Sequence, residues 1–172
     1  MITATGPDQV GIVDKITEVL LEYGANVEES RMARLGGEFA VIILISIPEK
    51  NIIELPKGLE KLKKFQLSCS CKATKLTDTK RFEGYVPYEV IVIGADHEGI
   101  VHRVAHYFSE NGINIETLET TVTNAPTTGT PLFSMHAIAQ VPAKIPLNLL
   151  RKNLIQIGNE MGTDVEVKMM VK

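Results

Sequence analysis

The sequence predicts an α+β fold: two ferredoxin-like units in tandem, each a four-stranded antiparallel sheet with two helices on one face. Three observations lead there. The phrase "GPDQVGIV" at 6 to 13 returns as "GADHEGIV" at 94 to 101, and at this offset of 88 nine of the 23 positions from Gly6 to Glu28 are identical to Gly94 through Glu116. Unrelated stretches would share about one or two, so this is an internal duplication. Hydrophobic spacing switches between strand and helix periods in the order βαββαβ, twice. The 172 residues are long enough for two units of about 80 residues, each able to bury its own core.

The first unit, residues 1 to 75, opens with a short strand before Gly6. A helix follows from about Asp8 to Tyr23, with Ile12, Val13, Ile16, Val19, Leu20 and Tyr23 at helical spacing, and Gly24 ends it. The polar strand "NVEESRMARL" and the apolar strand "EFAVIILISI" flank Gly36-Gly37, the mark of a two-residue hairpin. Pro48 closes that strand. Residues near 52 to 65 form a second helix with Leu59, Leu62 and Phe65, and "QLSCSCKAT" is the last strand. Residues 76 to 87 show no apolar period and read as a linker.

The second unit, residues 88 to 172, repeats the order. Its parts are "YEVIVIG", a helix from Asp96 to Asn111, "NIETLETTVT", "LFSMHAIAQV", a helix from about Pro146 to Met161, and "DVEVKMMV". Phe39 matches Phe133 and Pro48 matches Pro142 at an offset of 94, so six residues have entered the hairpin loop, which becomes "NAPTTGTP". In "EFAVIILISI" both faces are apolar: Phe39, Val41, Ile43, Ile45 and Ile47 on one, Ala40, Ile42 and Leu44 on the other. A ferredoxin-like sheet covers only one face with helices, so the other is expected to pair with a second unit or copy, giving a homodimer.

Composition narrows the function classes. A formal net charge of -3, with basic residues interleaved among acidic ones, argues against nucleic acid as a partner. The longest apolar run, "FAVIILI", is far too short to cross a bilayer, and the start of the chain lacks the pattern of a secretory signal. A cytoplasmic protein is expected. Cys69 and Cys71 stand two apart on a strand, near the limit for a disulfide, and read as reduced thiols. In "HEGIVH" the histidines are five apart, against the four that a zinc-protease helix requires. His102 and His106 have the right spacing but lack a third ligand. No nucleophile elbow or phosphate loop is present. Neither catalytic residues, nor a metal, nor a cofactor is expected.

The loop "GPDQVG" joins the first strand to the first helix, whose leading amides are free and whose dipole is positive there. Asp8 is placed to cap the helix, and Gly11 would then be its third residue, at ~1 kcal/mol against alanine. Two readings account for that glycine. An open approach would let a zwitterion set its carboxylate on the amides and its ammonium on Asp8 or on the side-chain oxygen of Asn26, which starts the neighbouring strand. Alternatively Asp8 only caps, Gly11 only allows close packing, and Asn26 only tolerates an unusual backbone. The residues alone leave both open.

The pattern G-x-D-x-x-G-I-V, an amphipathic helix, then G-[AI]-N-[VI]-E, set on βαββαβ, resembles the ACT domain, a regulatory module that usually senses amino acids. Two such domains filling the chain, with the longer second hairpin loop and "PLFSMHAIAQVP" after it, resemble the glycine cleavage system transcriptional repressor family. The resemblance implies an effector site at Asp8, Gln9, Val10, Gly11, Ile12 and Asn26, and at Asp96, His97, Glu98, Gly99, Ile100 and Asn114 in the second unit. Many ACT domains have proline just before the second glycine; Val10 and Glu98 stand there instead. The implied function is a non-enzymatic regulator that binds a small amino-acid effector and controls a partner protein such as a DNA-binding activator. A regulatory or scaffolding subunit of a metabolic enzyme is the alternative. Because Glu98 adds a carboxylate beside the second loop, the first unit is expected to hold an anionic group better.

Overall fold

The structure, a computed structural model, describes residues 1–74, 82–126 and 128–170, and the chain divides into two compact units, Met1–Thr77 and Asp78–Lys172. In the first unit β1 (Ile2–Pro7), α1 (Ile12–Glu22), β2 (Asn26–Leu35), β3 (Glu38–Ser46), α2 (Leu55–Glu60) and β4 (Ser68–Cys71) follow one another. In the second the order is β5 (Tyr85–Ala95), α3 (Ile100–Glu110), β6 (Asn114–Asn124), β7 (Pro131–Pro142), α4 (Leu147–Glu160) and β8 (Thr163–Met169). The sheets are ordered β2-β3-β1-β4 and β6-β7-β5-β8, with every pairing antiparallel. This is the expected ferredoxin-like fold, made twice.

Each unit has its own core. In the first, Ile2 and Ala4 of β1 and Phe39, Val41 and Ile43 of β3 meet Ile12, Ile16 and Leu20 of α1 and Leu59 of α2. The second uses Val90, Val92, Met135 and Ala139 from its strands against Val104, Phe108, Leu150 and Leu154 from its helices. The alternation seen in "EFAVIILISI" therefore divides as expected, with Phe39, Val41 and Ile43 inward. On the outward face Ile42 is 53% exposed, between Thr3 of β1 and Arg31 of β2. That face is mixed rather than wholly apolar.

Three elements differ from the sequence reading. The helix expected near 52 to 65 is broken into a 3-10 turn at Glu49–Asn51, the short α2, and a second 3-10 turn at Lys61–Phe65. Pro56 and Gly58 are poor interior helix residues, and the ring of Tyr23 lies where a side chain at Gly58 would stand. Of the residues read as linker, 75 to 81 lie outside the described ones, and Tyr85, Val86 and Pro87 belong to β5. Pro87 lies one step past the register with β8, which stops at Tyr88↔Met169; the Met170 N–H still donates to Pro87 O at 3.1 Å, so the ladder lacks only the donor that proline does not have. Both first helices start later than expected, at Ile12 and Ile100.

The hairpins follow the turn chemistry. Gly36 and Gly37 both have positive φ, 58° and 89°, as a type I′ turn demands. In the longer second loop Ala125 N–H donates to Thr130 O at 2.8 Å, and pairing resumes unchanged: Val122↔Phe133 corresponds to Arg34↔Phe39. Both polar strands also carry one irregularity at the same place, between Val27 and Glu29 and between Ile115 and Thr117. Glu28 and Glu116 are thus the extra residues of two equivalent β-bulges.

The first glycine of the repeated phrase answers to packing. A Cβ on Gly6 would stand 2.6 Å from Gln66 O, and one on Gly94 would stand 2.6 Å from Thr163 Cγ2 and 2.9 Å from Gly162 O. In each unit the turn that leaves the second helical segment thus lies against the bare backbone of the first strand. We expect Gly94→Ala to cost about 1–3 kcal/mol, the range for overpacking a close contact, read as a lowered urea midpoint. An unchanged midpoint would show that the turn yields freely.

Candidate functional site

The loop between β1 and α1 is fixed by two bonds. The Asp8 N–H donates to Gly37 O at 2.8 Å, tying it to the hairpin turn. The Gln9 side-chain amide donates to Phe65 O at 3.0 Å, at the end of the second helical segment. Val10 is fully exposed. Gly11 then precedes α1 with φ 89°, in the left-handed region, and Lys15 N–H closes the first turn on Gly11 O at 3.0 Å.

This geometry revises the expected roles. Asp8 does not cap the helix: Gly11 occupies that position and no side chain bonds the leading amides. Gly11 is therefore not an interior helix residue, and its cause is its backbone angle, which costs an L-residue about 1–2 kcal/mol. Nor does it serve close packing, since a Cβ there would meet nothing within 4 Å. What remains is a helix start that opens onto free space, with the Val13 and Asp14 amides ahead of the first intrahelical bonds. The Asp8 carboxylate lies 3.5 Å from Arg34 Nη1, and Ile12 is buried in the core.

The second loop has the same plan with different side chains. Asp96 N–H donates to Pro131 O at 3.1 Å, Gly99 has φ 93°, and Ile100 is buried. His97 takes the part of Gln9: Nε2 lies 2.6 Å from Met161 O, at the end of α4, and Nδ1 lies 3.0 Å from Glu98 O. Glu98 is exposed. Gln9 and His97, read as ligand contacts, thus hold the loop to the carboxyl end of a helix, where carbonyls lack partners.

Asn26 and Asn114 lie elsewhere. Asn26 pairs with Ser46, whereas the loop adjoins the opposite end of β3, where Pro7 pairs with Glu38. Eight strand residues separate those ends, about 26 Å. Within one unit Asn26 cannot reach the loop, contrary to expectation, and Asn114, opposite Gln140, is placed likewise. Asn26 instead meets the bulge: its Nδ2 donates to Glu28 Oε1 at 3.1 Å, which also accepts the Ser46 hydroxyl at 2.5 Å. Those bonds, the Ser46 one foremost, hold the Glu28 carboxyl below its ordinary range. In the second unit Gln140 donates to Glu116 at 2.7 Å. The identity of Glu28 and Glu116 was visible in the repeat, but no sequence pattern marks a bulge. Arg34 was also missed; its counterpart is Val122, so the second loop lacks that arginine.

Other candidates settle simply. Cys69 and Cys71 are free thiols packed against the first core, and burial pushes the Cys69 thiol up. The His102 and His106 rings stack 5.9 Å apart, and no group of three or more metal-binding side chains occurs among the described residues. No helix among those residues is long and apolar enough to cross a membrane.

His97 generates a pH prediction. Two carbonyl oxygens face its ring, Met161 O first, so the protonated form, which donates from both nitrogens, is favoured and the pKa rises above 6.5. A raised folded value means that this contact stabilises fully below the unfolded pKa and is lost as pH rises through the folded one. The urea midpoint of the parent should therefore fall relative to His97→Gln as pH climbs from about 6 to 8. Parallel pH profiles would show that the ring does not titrate against the fold.

Three comparisons bear on this geometry. The ACT domain family model matches residues 1–72. Glycine cleavage system transcriptional repressors of Escherichia coli (strain K12) and Shigella flexneri are 34% identical over 118 residues, 69% of this chain, and the alignment spans 62% of their length. A UPF0237 protein of Methanopyrus kandleri is 35% identical over 80 residues, 46% of this chain and 82% of its own. A crystal structure of an unknown protein from Galdieria sulphuraria superposes with a TM-score of 0.84 at 33% identity, covering 99% of this chain and 96% of that one. Residues 1–72 thus belong to the ACT-domain family, and the second unit repeats their fold and their phrase.

Proposed function

We propose that the chain is a non-enzymatic regulator that binds a small amino acid at its β1–α1 loops and transmits that binding to a partner protein. The observation that carries this is the uncapped helix start: in both units a left-handed glycine precedes the helix and no side chain bonds the leading amides. A carboxylate suits such amides. The first loop is the better one, since Arg34 adds positive charge beside it while the second has Val122 there and Glu98 within the loop. Because Asn26 lies about 26 Å from its own loop, it contributes only where a second copy brings its Asn26 against this Gly11. Effector binding and homodimerisation are then one event.

The named repressors among the relatives favour transcriptional control, with glycine metabolism as the target. The described residues hold no helix-turn-helix and the net charge is -3, so control acts through a partner, a DNA-binding activator in the cytoplasm, rather than on DNA.

A thermal-shift series over the twenty amino acids tests the first step. The true effector at 100 times its Kd should add ~2.7 kcal/mol of stability, and no shift with any of them would refute sensing of free amino acids. With that effector, calorimetry on Gly11→Asn and Gly99→Asn locates the sites, because asparagine tolerates the left-handed backbone yet covers the amides. The first variant should lose the tighter binding and the second only the weaker, which Glu98→Gln should strengthen. Equal losses with no response to Glu98→Gln would show that loop charge does not set affinity.

A further inference from the structure

The duplication places two helix faces at matching positions and gives them different chemistry. At the offset of 88, Asp14 and Glu18 of α1 correspond to His102 and His106 of α3. In α1 both carboxylates are engaged, since Lys15 Nζ lies 3.1 Å from Glu18 Oε2 and 3.4 Å from Asp14 Oδ2. In α3 the counterpart of that lysine, Arg103, turns away and donates to Glu160 Oε2 at 2.5 Å. The two imidazoles are left to each other, with their rings 5.9 Å apart and 22° from parallel. Both are exposed, and neither makes a hydrogen bond or ion pair with another described residue.

Side chains one turn apart on a helix face are near enough to share an ion. A divalent ion takes an imidazole nitrogen at about 2.1 Å, which at a tetrahedral angle sets two ring centres ~5 Å apart. The observed 5.9 Å is about 1 Å more, and histidine χ2 is a broad torsion, so turning one nitrogen of each ring into the gap costs little. The helix beneath is held, because Ile100, Val104 and Phe108 bury its other face. We propose that His102 and His106 chelate a divalent transition-metal ion that favours imidazole, Cu2+ before Ni2+ and Zn2+. Two ligands do not close a structural site, which takes four; water fills the remaining positions. Glu110, exposed one turn beyond His106, adds negative charge but lies ~12 Å along the axis from His102, too far to join both rings on one ion. The proposal goes beyond effector sensing and does not depend on it.

The test uses the intact chain without any amino acid, in a buffer free of metal-binding groups. Cu2+ alone is titrated while backbone amide NMR signals are followed, and paramagnetic broadening is expected first around His102 and His106. That pattern locates the ion in the parent chain, whatever the variants do. By calorimetry His102→Ala and His106→Ala should each weaken this binding about tenfold or more, since losing even a ligand's supporting partner costs that much. His102→Asp combined with His106→Glu, which installs the pair of the first unit, should abolish the two-histidine step. Both positions are exposed, so these variants should melt as the parent does. Parent affinity should fall as pH is lowered from about 7.5 to 5.5, because a ligand must shed its proton to bind. Broadening that begins at His97 or His136 instead, or parent affinity in either alanine variant, would overturn the proposal.

Discussion

Everything at the loop end of each unit depends on one close approach of backbone to backbone. The turn after the second helical segment lies on the first strand at Gly6 or Gly94, too near for any side chain. That contact brings the last helical carbonyl within reach of the loop, so Gln9 bonds Phe65 O and His97 bonds Met161 O. Held there, and tied through Asp8 or Asp96 to the hairpin, the loop has one route into the helix, through a left-handed glycine. The phrase G-x-D-x-x-G thus combines a contact glycine, a backbone anchor and a conformational glycine in six residues.

The duplicated scaffold has kept these constraints while its chemistry has diverged. Backbone bonds and positive φ values recur at matching positions, whereas Gln9, Val10 and Arg34 have become His97, Glu98 and Val122. Changes therefore fall on exposed side chains and leave the geometry alone. One result is that an imidazole clamps the second loop where a carboxamide clamps the first.

The fold was legible because it rests on periodicity: buried positions such as Ile12, Ile16, Phe39 and Val41 alternate as their elements require. The candidate site was legible only in part. Gly11 inside a helix and Gly11 just ahead of one have the same letters around them, and only the backbone angle separates them. Asn26 was placed beside the loop because adjacency of strands is readable and the end of the sheet at which a residue lies is not, until register is known. The close approach of Tyr23 to Gly58 within α2 joins distant positions and leaves no mark in local sequence. The bulges at Glu28 and Glu116 shift pairing by one residue, which local composition does not signal.

The hairpin loops carry a consequence for how this architecture can be altered. Six residues entered between β6 and β7, yet every cross-strand partner on either side is the one the two-glycine turn would have given. Length at that tip is decoupled from the sheet, because loop closure grows only slowly with size and the flanking ladder fixes the register. The tip is thus a graft point: a dye, an epitope or a whole reporter domain placed there would ride on the unit without disturbing its interior.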